Sequence, residues 1–171
     1  FDRMLQLSAY FRTLNPAVVT VAGGVAIRAL PTYARGFFDH VCTGDAEQLG
    51  EVVREALGSE YVAEEPSPRY DLAHWMGRRI GYAESSRNCN FRCTFCSLTA
   101  TGLGYQTSSI DELRRQLLAM GRRDVICFQD NQFYGFDRRV FLERMALLRE
   151  LRAAGHFRYW HAFVSDTFLW N

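Results

Sequence analysis

The chain has 171 residues, of which 48% are hydrophobic and 23% charged, and its formal net charge is +1. These proportions are ordinary for a globular protein and leave room for one domain or two small ones. A charge so close to zero gives no field that points to nucleic acid or an acidic membrane, and we expect neither partner. No apolar run approaches the roughly 18 residues that a membrane span needs.

The cysteine count and the first residues of the chain indicate its cellular compartment and whether it is a fragment. Five cysteines, with three of them clustered, argue against a disulfide framework and favour a reducing, cytoplasmic compartment. The chain begins Phe-Asp-Arg, with no initiator methionine and no secretory signal. We therefore expect a cytoplasmic fragment of a longer protein.

The first part of the chain predicts half of an α/β sandwich. An apolar pattern at helical spacing predicts a helix over 2–14, and Asn15-Pro16 ends it because proline disfavours helix at the preceding residue. Short β-branched or apolar runs predict strands over 17–22 and 39–43. The residues that share the apolar face of the first helix are Met4, Leu7, Phe11 and Leu14.

Glycines follow both predicted strands. Gly23-Gly24 ends the first strand and is most simply a tight turn, but it also lets backbone approach a ligand. Open α/β sheets bind ligands at that carboxyl edge. Gly44 follows the second strand, and Asp45 with Gln48 three residues later predicts the start of a helix.

The second part of the chain alternates strands and helices. Residues 59–78, rich in Pro, Ser and Glu, predict a linker between a first domain at 1–58 and a second at 79–171. The second domain reads β–loop–α–β–α–β, which predicts a parallel sheet with right-handed crossovers. Three such strands cannot close a barrel and would leave an exposed edge, so we expect the natural chain to continue.

Two helix starts in this second part have clear signals. Ser109 with Glu112 forms a capping box, and Asp137 can cap the next helix. The predicted inward residues are Ile110, Leu113, Leu117 and Met120 on the first helix, and Val140, Phe141, Met145 and Leu148 on the second.

The most informative motif is C-x3-C-x2-C, formed by Cys89, Cys93 and Cys96, with Phe95 just before the last cysteine. Three thiolates this close can hold three irons of a cubane iron–sulfur cluster. The fourth iron then has no ligand in the motif and is open to a small molecule. The motif therefore predicts a cluster that takes part in chemistry.

Zinc is the main alternative. Structural zinc usually takes four ligands, often from two pairs, whereas here only His74 offers a distant fourth ligand. One zinc and no iron would indicate a binding or scaffold module. A bacterial ferredoxin has different cysteine spacing. Cys42 and Cys127 fall in predicted strands, where a buried, inert thiol is the ordinary interpretation.

The run from Arg87 to Cys96 resembles the signature loop of the radical S-adenosylmethionine superfamily. The resemblance implies a partial (β/α)6 barrel, of which residues 79–171 would be the first part. It also implies a 4Fe–4S cluster whose free iron chelates S-adenosylmethionine, and reductive cleavage to a 5′-deoxyadenosyl radical. Phe95 would line the adenine side through its backbone. Asp130, in a strand-end motif, would hold the cosubstrate; its alternative role is that of a capping or turn residue.

Two upstream stretches, 17–24 and 39–47, resemble the second half of the Rossmann-like cobalamin-binding domain that is fused to many such enzymes. The family's D-x-H-x-x-G motif does not occur in the chain, so cobalt ligation stays open. The usual Gly-Gly-Glu after the second barrel strand is also absent. The residues that the resemblance places beside cobalamin are Gly23, Gly24, Gly44 and Glu47.

These resemblances together imply a cobalamin-dependent radical enzyme that methylates an unactivated carbon or phosphorus centre of a small-molecule substrate. Flavodoxin or ferredoxin would supply electrons. Ring closure or hydroxylation of a tetrapyrrole-like substrate is the alternative with the same cofactors. The chain alone is not expected to turn over, since later barrel strands are missing. Four arginines near one helix are interpreted as a solvated face: Arg114, Arg115, Arg122 and Arg123.

Overall fold

The computed structural model describes residues 1–45, 48–59, 68–70, 72 and 79–165. The chain divides into two compact units, Phe1–Pro66 and Ser67–Asn171. The division falls within the stretch predicted as a linker, most of which lies outside the described residues. Both units combine helices with parallel strands, which confirms the α/β class. No helix in the described part of the chain is long and apolar enough to cross a membrane.

The first unit has a small parallel sheet. Val21 lies opposite His40 and Ala22 opposite Val41, so the two strands are shorter than predicted. Two short helices between them were not predicted from the sequence. The elements are α1 (Asp2–Leu14), β1 (Val21–Ala22), α2 (Val25–Ala29), α3 (Pro31–Ala34), β2 (His40–Val41) and α4 (Leu49–Leu57).

Helix α1 has the predicted bounds but presents a different face to the core. Met4 and Leu5 pack against the core of the first unit, and Ser8 is buried. The predicted apolar face is largely exposed at Leu7, Phe11 and Leu14. The core that α1 covers is small and consists of Ala22, Ile27, Ala34 and Phe38. The four residues of the apolar stripe thus differ in burial, because apolar periodicity finds a stripe without showing what covers it.

The second unit contains the predicted parallel sheet. Its strands are ordered β3-β6-β7, and all neighbouring pairs are parallel. A separate antiparallel pair, β4 with β5, was not predicted. The elements are β3 (Ile80–Ala83), β4 (Ser86–Arg87), α5 (Ser97–Ala100), β5 (Gln106–Thr107), α6 (Ile110–Ala119), β6 (Val125–Phe128), α7 (Arg138–Ala153) and β7 (Tyr159–His161).

Helices α6 and α7 form a core with β3 and β6. The buried cluster contains Ala83, Ile126 and Phe128 from the strands, and apolar side chains from both helices. The inward face of α6 is the predicted one. On α7 the predicted Leu148 is buried, and Phe141 and Met145 are partly buried and pack against the core. The helix also buries Arg144, Leu147 and Leu151, which were not predicted.

Both predicted helix starts in the second unit are confirmed. The Ser109 side chain accepts a hydrogen bond from the Glu112 backbone N–H, and the Glu112 carboxylate accepts from the Ser109 N–H at 2.8 Å. That second bond is the main reason why the pKa of Glu112 lies below its ordinary value. Asp137 Oδ1 accepts from the backbone N–H of Arg139 at 2.8 Å and begins α7.

Candidate functional site

The cysteine motif lies on the loop that follows β3 and β4, at the carboxyl end of β3. Asn88 adopts a left-handed conformation with φ of 60°, which asparagine tolerates better than most residues. Its side-chain amide donates to the Gly104 carbonyl at 2.9 Å. The Asn90 amide donates to the Gly135 carbonyl at 3.1 Å. These two bonds attach the loop to neighbouring segments on either side of Cys89.

The three thiols are free and accessible. Cys93 is exposed, while Cys89 and Cys96 are half-buried. The Cys96 backbone N–H donates to the Cys93 carbonyl at 3.1 Å, so a tight turn joins the last two cysteines. Within the ranges that the structure describes, no three Cys, His, Asp or Glu side chains are grouped as a metal site. The sulfur atoms are thus near one another along the loop but are not gathered around one centre.

The donor set fits an iron–sulfur cluster with an open iron. Thiolates are soft ligands that suit iron–sulfur clusters, and the three cysteines of the loop are free. Asn90 Oδ1 is buried without a hydrogen-bond partner, so the loop also holds an acceptor that a bound donor could satisfy. His74, the fourth ligand considered for zinc, lies outside the described residues.

Phe95 has a side chain that is 91% exposed, so it makes little contact with the rest of the chain. The predicted role of this residue was a backbone contact beside adenine. That role stays a prediction, because side-chain exposure does not address the backbone groups. An exposed ring at the tip of a cysteine loop leaves space on that side for a ligand or another segment.

Asp130 lies in the interior, just after β6, with 1% of its surface exposed. Its carboxylate accepts from the Ser85 backbone N–H at 3.1 Å and from the Ser85 hydroxyl at 2.7 Å. The Ser86 hydroxyl donates to the same carboxylate. Its role in holding S-adenosylmethionine stays a prediction. The contacts that the structure shows connect the end of β6 to the segment that leads into the cysteine loop.

Arg144 is the residue that sequence reasoning missed. It lies on α7 with 1% of its surface exposed, and its guanidinium donates to the Phe133 carbonyl at 2.6 Å and the Ser85 carbonyl at 2.9 Å. The guanidinium also lies 5.5 Å from the centre of the Phe133 ring. The available signal was an arginine at helical spacing from Leu148 on an apolar face. Asp130 and Arg144 thus bind the same serine from opposite sides.

The glycines predicted to border cobalamin lie at the carboxyl ends of β1 and β2 in the first unit. Gly24 has φ of 91° and open space where a Cβ would lie. At Gly23 a Cβ would be in ordinary contact with Cys42, and at Gly44 it would lie 2.6 Å from Gln48 Cβ. A cavity of about 360 Å³ adjoins this edge, lined in part by Gly44. The edge therefore has room for a ligand, and Glu47 lies outside the described residues.

Asp45 does not cap α4 with its side chain. Its carboxylate lies 2.6 Å from the Arg28 guanidinium, which also donates to the Gly44 carbonyl at 3.0 Å. Gln48 Oε1 accepts from the Asp45 N–H at 2.7 Å, so only half of the predicted arrangement forms. Helix α4 begins at Leu49. The competing partner, Arg28, comes from α2, which the sequence did not predict.

The two remaining cysteines differ in burial. Cys42 is buried beside β2, as predicted for an inert thiol. Cys127 lies in β6, also as predicted, but it is only half-buried. The prediction of burial was therefore right for Cys42 and incomplete for Cys127, because one face of a three-stranded sheet need not be covered.

The arginines near α6 have separate structural settings. Arg114 pairs with Glu150 of α7 at 2.5 Å, and this bond raises the pKa of Arg114. A cavity of about 540 Å³ lies at the amino-terminal edge of the sheet, away from the cysteine loop. Its arginines lie in the last turn of α7 or in the segments that follow α6 and α7, and positive charge near a helix carboxyl end complements the helix dipole. They are Arg122, Arg123, Arg152 and Arg158.

The chain is similar to three curated proteins named ribosomal protein uS12 methylthiotransferase RimO. The protein from Symbiobacterium thermophilum is 32% identical over 133 residues, which cover 70% of this chain and 27% of the relative. The protein from Synechococcus sp. is 28% identical and covers 57% of this chain and 23% of its own length. The protein from Moorella thermoacetica is 26% identical, covering 80% and 34% respectively.

These matches support the radical S-adenosylmethionine superfamily as the broad class. They give no support to cobalamin or to methylation of carbon or phosphorus. The chain spans only about a quarter to a third of the length of these relatives. No protein-family model matches the chain, and no solved structure matches it.

Proposed function

We propose that this chain is the cluster-binding part of a radical S-adenosylmethionine enzyme. The observation that carries the proposal is the loop of three free, accessible cysteines at the carboxyl end of a parallel strand. Similarity to the RimO methylthiotransferases supports the same class. In this proposal residues 79–171 form the first part of a partial (β/α)6 barrel.

The three cysteines would hold a 4Fe–4S cluster, and they differ in their exposure to solvent. Cys93 is exposed at the tip of the loop, whereas Cys89 and Cys96 lie closer to the body of the unit. When bound, the cluster supplies the electron that cleaves S-adenosylmethionine to a 5′-deoxyadenosyl radical. Asn88 and Asn90 hold the loop against its neighbours. We propose that the Phe95 backbone and the surroundings of Asp130 face the cosubstrate.

The leading reaction is methylation of an unactivated carbon or phosphorus centre, with cobalamin bound to the first unit as methyl carrier. The support is the edge at the carboxyl ends of β1 and β2, where Gly24 leaves open space beside the backbone and Gly44 lines a cavity of about 360 Å³. Gly23 lies at the same edge, and Glu47 would complete the set. The measurement is the corrin content of anaerobically purified protein: stoichiometric cobalt supports this reaction, and its absence after incubation with cobalamin contradicts it.

Methylthiolation is the second candidate, and the similarity to three methylthiotransferases favours it. The two reactions differ in product mass, because methylation adds CH2 and methylthiolation adds CH2S. They also differ in substrate, which would be a small molecule in the first case and a protein side chain in the second. Ring closure of a tetrapyrrole-like substrate would add neither group. Mass spectrometry of the product therefore separates all three.

The test of the shared proposal is anaerobic reconstitution of the chain with iron and sulfide. We expect iron and sulfide in equal amounts and the visible absorption of sulfur-to-iron charge transfer. Cys89→Ala, Cys93→Ala and Cys96→Ala should each abolish a stable cluster, whereas the matched control Cys127→Ala should retain it. Formation of 5′-deoxyadenosine is then measured in the longest natural protein that carries this sequence. Zinc without iron, or a cluster that survives loss of all three cysteines, would overturn the proposal.

A further inference from the structure

Ser85, four residues before Cys89, has a hydrogen-bond partner for each of its polar groups. It is fully buried, and its backbone N–H and hydroxyl both donate to Asp130. Its carbonyl accepts from Arg144 at 2.9 Å and from the Ser108 backbone N–H at 3.0 Å. Every polar group of this serine thus has a partner, and the partners come from segments far apart along the chain. The position of the Ser85 peptide is therefore fixed by several elements at once.

The two charged partners of Ser85 compensate each other. Asp130 and Arg144 are each 1% exposed, and a lone buried charge would carry a large desolvation penalty. They bind the N–H side and the carbonyl side of one residue, so a negative and a positive group flank it within a few ångströms. In a medium of low dielectric constant, such a hydrogen-bonded chain of charges is stable only when it is complete.

The network lies directly before the cluster ligands. Ser86 follows Ser85, donates to Asp130 and also lies 3.3 Å from the Gln132 carbonyl. The same Gln132 carbonyl accepts from the Tyr105 hydroxyl at 3.0 Å. Cys89 is three residues beyond Ser86. The direction in which the loop leaves the sheet is therefore set by contacts with the end of β6 and with α7, and not by the cysteines alone.

We propose that Asp130 and Arg144 are positioning residues for the cysteine loop. They hold Ser85 from both sides and so place Cys89, Cys93 and Cys96 for cluster binding. This inference rests on the proposed function for the role of the cysteines, but not for the arrangement of the network. Asp130 acts on the loop through the serines, and no contact between its carboxylate and the cosubstrate is needed.

Cysteine reactivity in the metal-free chain tests the positioning directly. Asp130→Asn keeps the shape of the side chain but loses its charge, and Arg144→Met keeps most of the volume but donates no hydrogen bond. We expect each to raise the alkylation rates of Cys89 and Cys96 several-fold, measured by mass spectrometry. Cys127 in the adjoining strand β6 should not change. An equal rise at Cys127 would indicate general loosening and would overturn the proposal, as would unchanged rates in the loop.

Matched controls use exposed residues of the same types on the same elements. Asp124 lies just before β6, and Arg149 lies on the exposed side of α7. The control variants are Asp124→Asn and Arg149→Met. Both should leave the alkylation rates unchanged. Should Asp130→Asn fail to fold, Ser86→Ala removes one bond to the carboxylate and leaves the Ser85 bonds in place. Ser86→Ala should raise the alkylation rates of Cys89 and Cys96 but not of Cys127, by a smaller factor than Asp130→Asn. If the rates at Cys89 and Cys96 do not rise selectively, the inference is contradicted.

A double-mutant cycle tests whether the two charges compensate each other. Each single variant leaves one buried charge without its counterpart, whereas Asp130→Asn combined with Arg144→Met leaves none. We expect the double variant to lower the unfolding midpoint by clearly less than the sum of the single shifts. Arg144→Lys keeps the positive charge and can still donate hydrogen bonds from its single nitrogen. It should therefore lower the unfolding midpoint less than Arg144→Met does. Additive single shifts would overturn the compensation argument.

Cluster loading separates this inference from the proposed function. At a temperature where the variants are folded, Asp130→Asn and Arg144→Met should bind less iron than the original chain and show an altered paramagnetic resonance spectrum of the reduced cluster. Full loading with an unchanged spectrum would overturn the positioning role. If the original chain binds no iron, the proposed function fails instead, and the alkylation and double-mutant results still decide the role of Asp130 and Arg144.

Discussion

Gly81 of β3 lies so close to Met120, at the end of α6, that a Cβ at residue 81 would overlap Met120 Sδ. The same Cβ would lie 2.9 Å from Arg123 Cγ and 3.2 Å from Ile126 Cδ1. Gly81 and Met120 are both buried, and Met120 belongs to the main core cluster. The absence of a side chain at residue 81 therefore allows α6 to pack closely on β3.

Gly81→Ala is expected to destabilise the second unit by about 1 to 3 kcal/mol, because overpacking forces Met120 and its neighbours to move. The measurement is the free energy of unfolding in urea. Gly104→Ala is the matched control, since a Cβ there would meet nothing within 4 Å. Equal stability of the two variants would show that the core absorbs the extra methyl group without strain.

Ser109→Ala is expected to lower the free energy of unfolding by about 1 kcal/mol, the usual effect of losing an N-cap side chain. The hydroxyl accepts from the Glu112 N–H at 3.2 Å, and alanine leaves that donor without its partner. Ser109→Asp keeps a capping oxygen and should be close to the original chain in urea unfolding. A loss of the same size in Ser109→Asp would show that the cap is not the cause.

Asp39 gives the first unit a defined dependence on pH. Hydrogen bonds from the Thr20 hydroxyl and backbone N–H, with the Arg12 guanidinium at 2.8 Å, hold its pKa well below the ordinary value of 3.8. Because the folded-state pKa is the lower one, the stabilisation is complete above 3.8 and is lost as pH falls toward the folded-state value. The stabilised contact joins α1 to the segments before β1 and β2.

Asp39→Asn should therefore lower the thermal unfolding midpoint of the first unit at neutral pH. The difference from the original chain should stay constant in mild acid and shrink once pH falls below 3.8. Circular dichroism melts across this range provide the measurement, with Glu55→Gln on α4 as a control for loss of one carboxylate. A difference that grows in acid would contradict the assignment.

Alkylation of the metal-free chain should follow the exposure of each thiol, since access and thiolate fraction together set cysteine reactivity. We expect Cys93 to react first, Cys127 more slowly and Cys42 last, because they are exposed, half-buried and buried respectively. Time-resolved mass spectrometry of iodoacetamide-treated protein gives the order. Rapid modification of Cys42 would show that the first unit opens readily.

Local signals in the sequence predicted much of the second unit. The capping box at Ser109, the cap at Asp137 and the parallel strands are confirmed, because they depend on neighbouring residues or on short-range periodicity. The three cysteines were likewise recognised from spacing alone. A linear sequence shows which residues lie three or four positions apart and which positions alternate in polarity. Local hydrogen bonds and strand patterns can therefore be predicted from it.

Only the tertiary structure decided which polar residues meet across the chain. Asp130 lies 45 residues from Ser85, and Arg144 lies 59 residues from it, so no local pattern connects them. The inward faces of α1 and α7, and the pairing of Asp45 with Arg28, depend in the same way on neighbouring elements. The sequence by itself determined the cysteine spacing and the main local elements. The folded chain decided what holds the cysteine loop, because buried charges take partners wherever the topology brings them within hydrogen-bond distance.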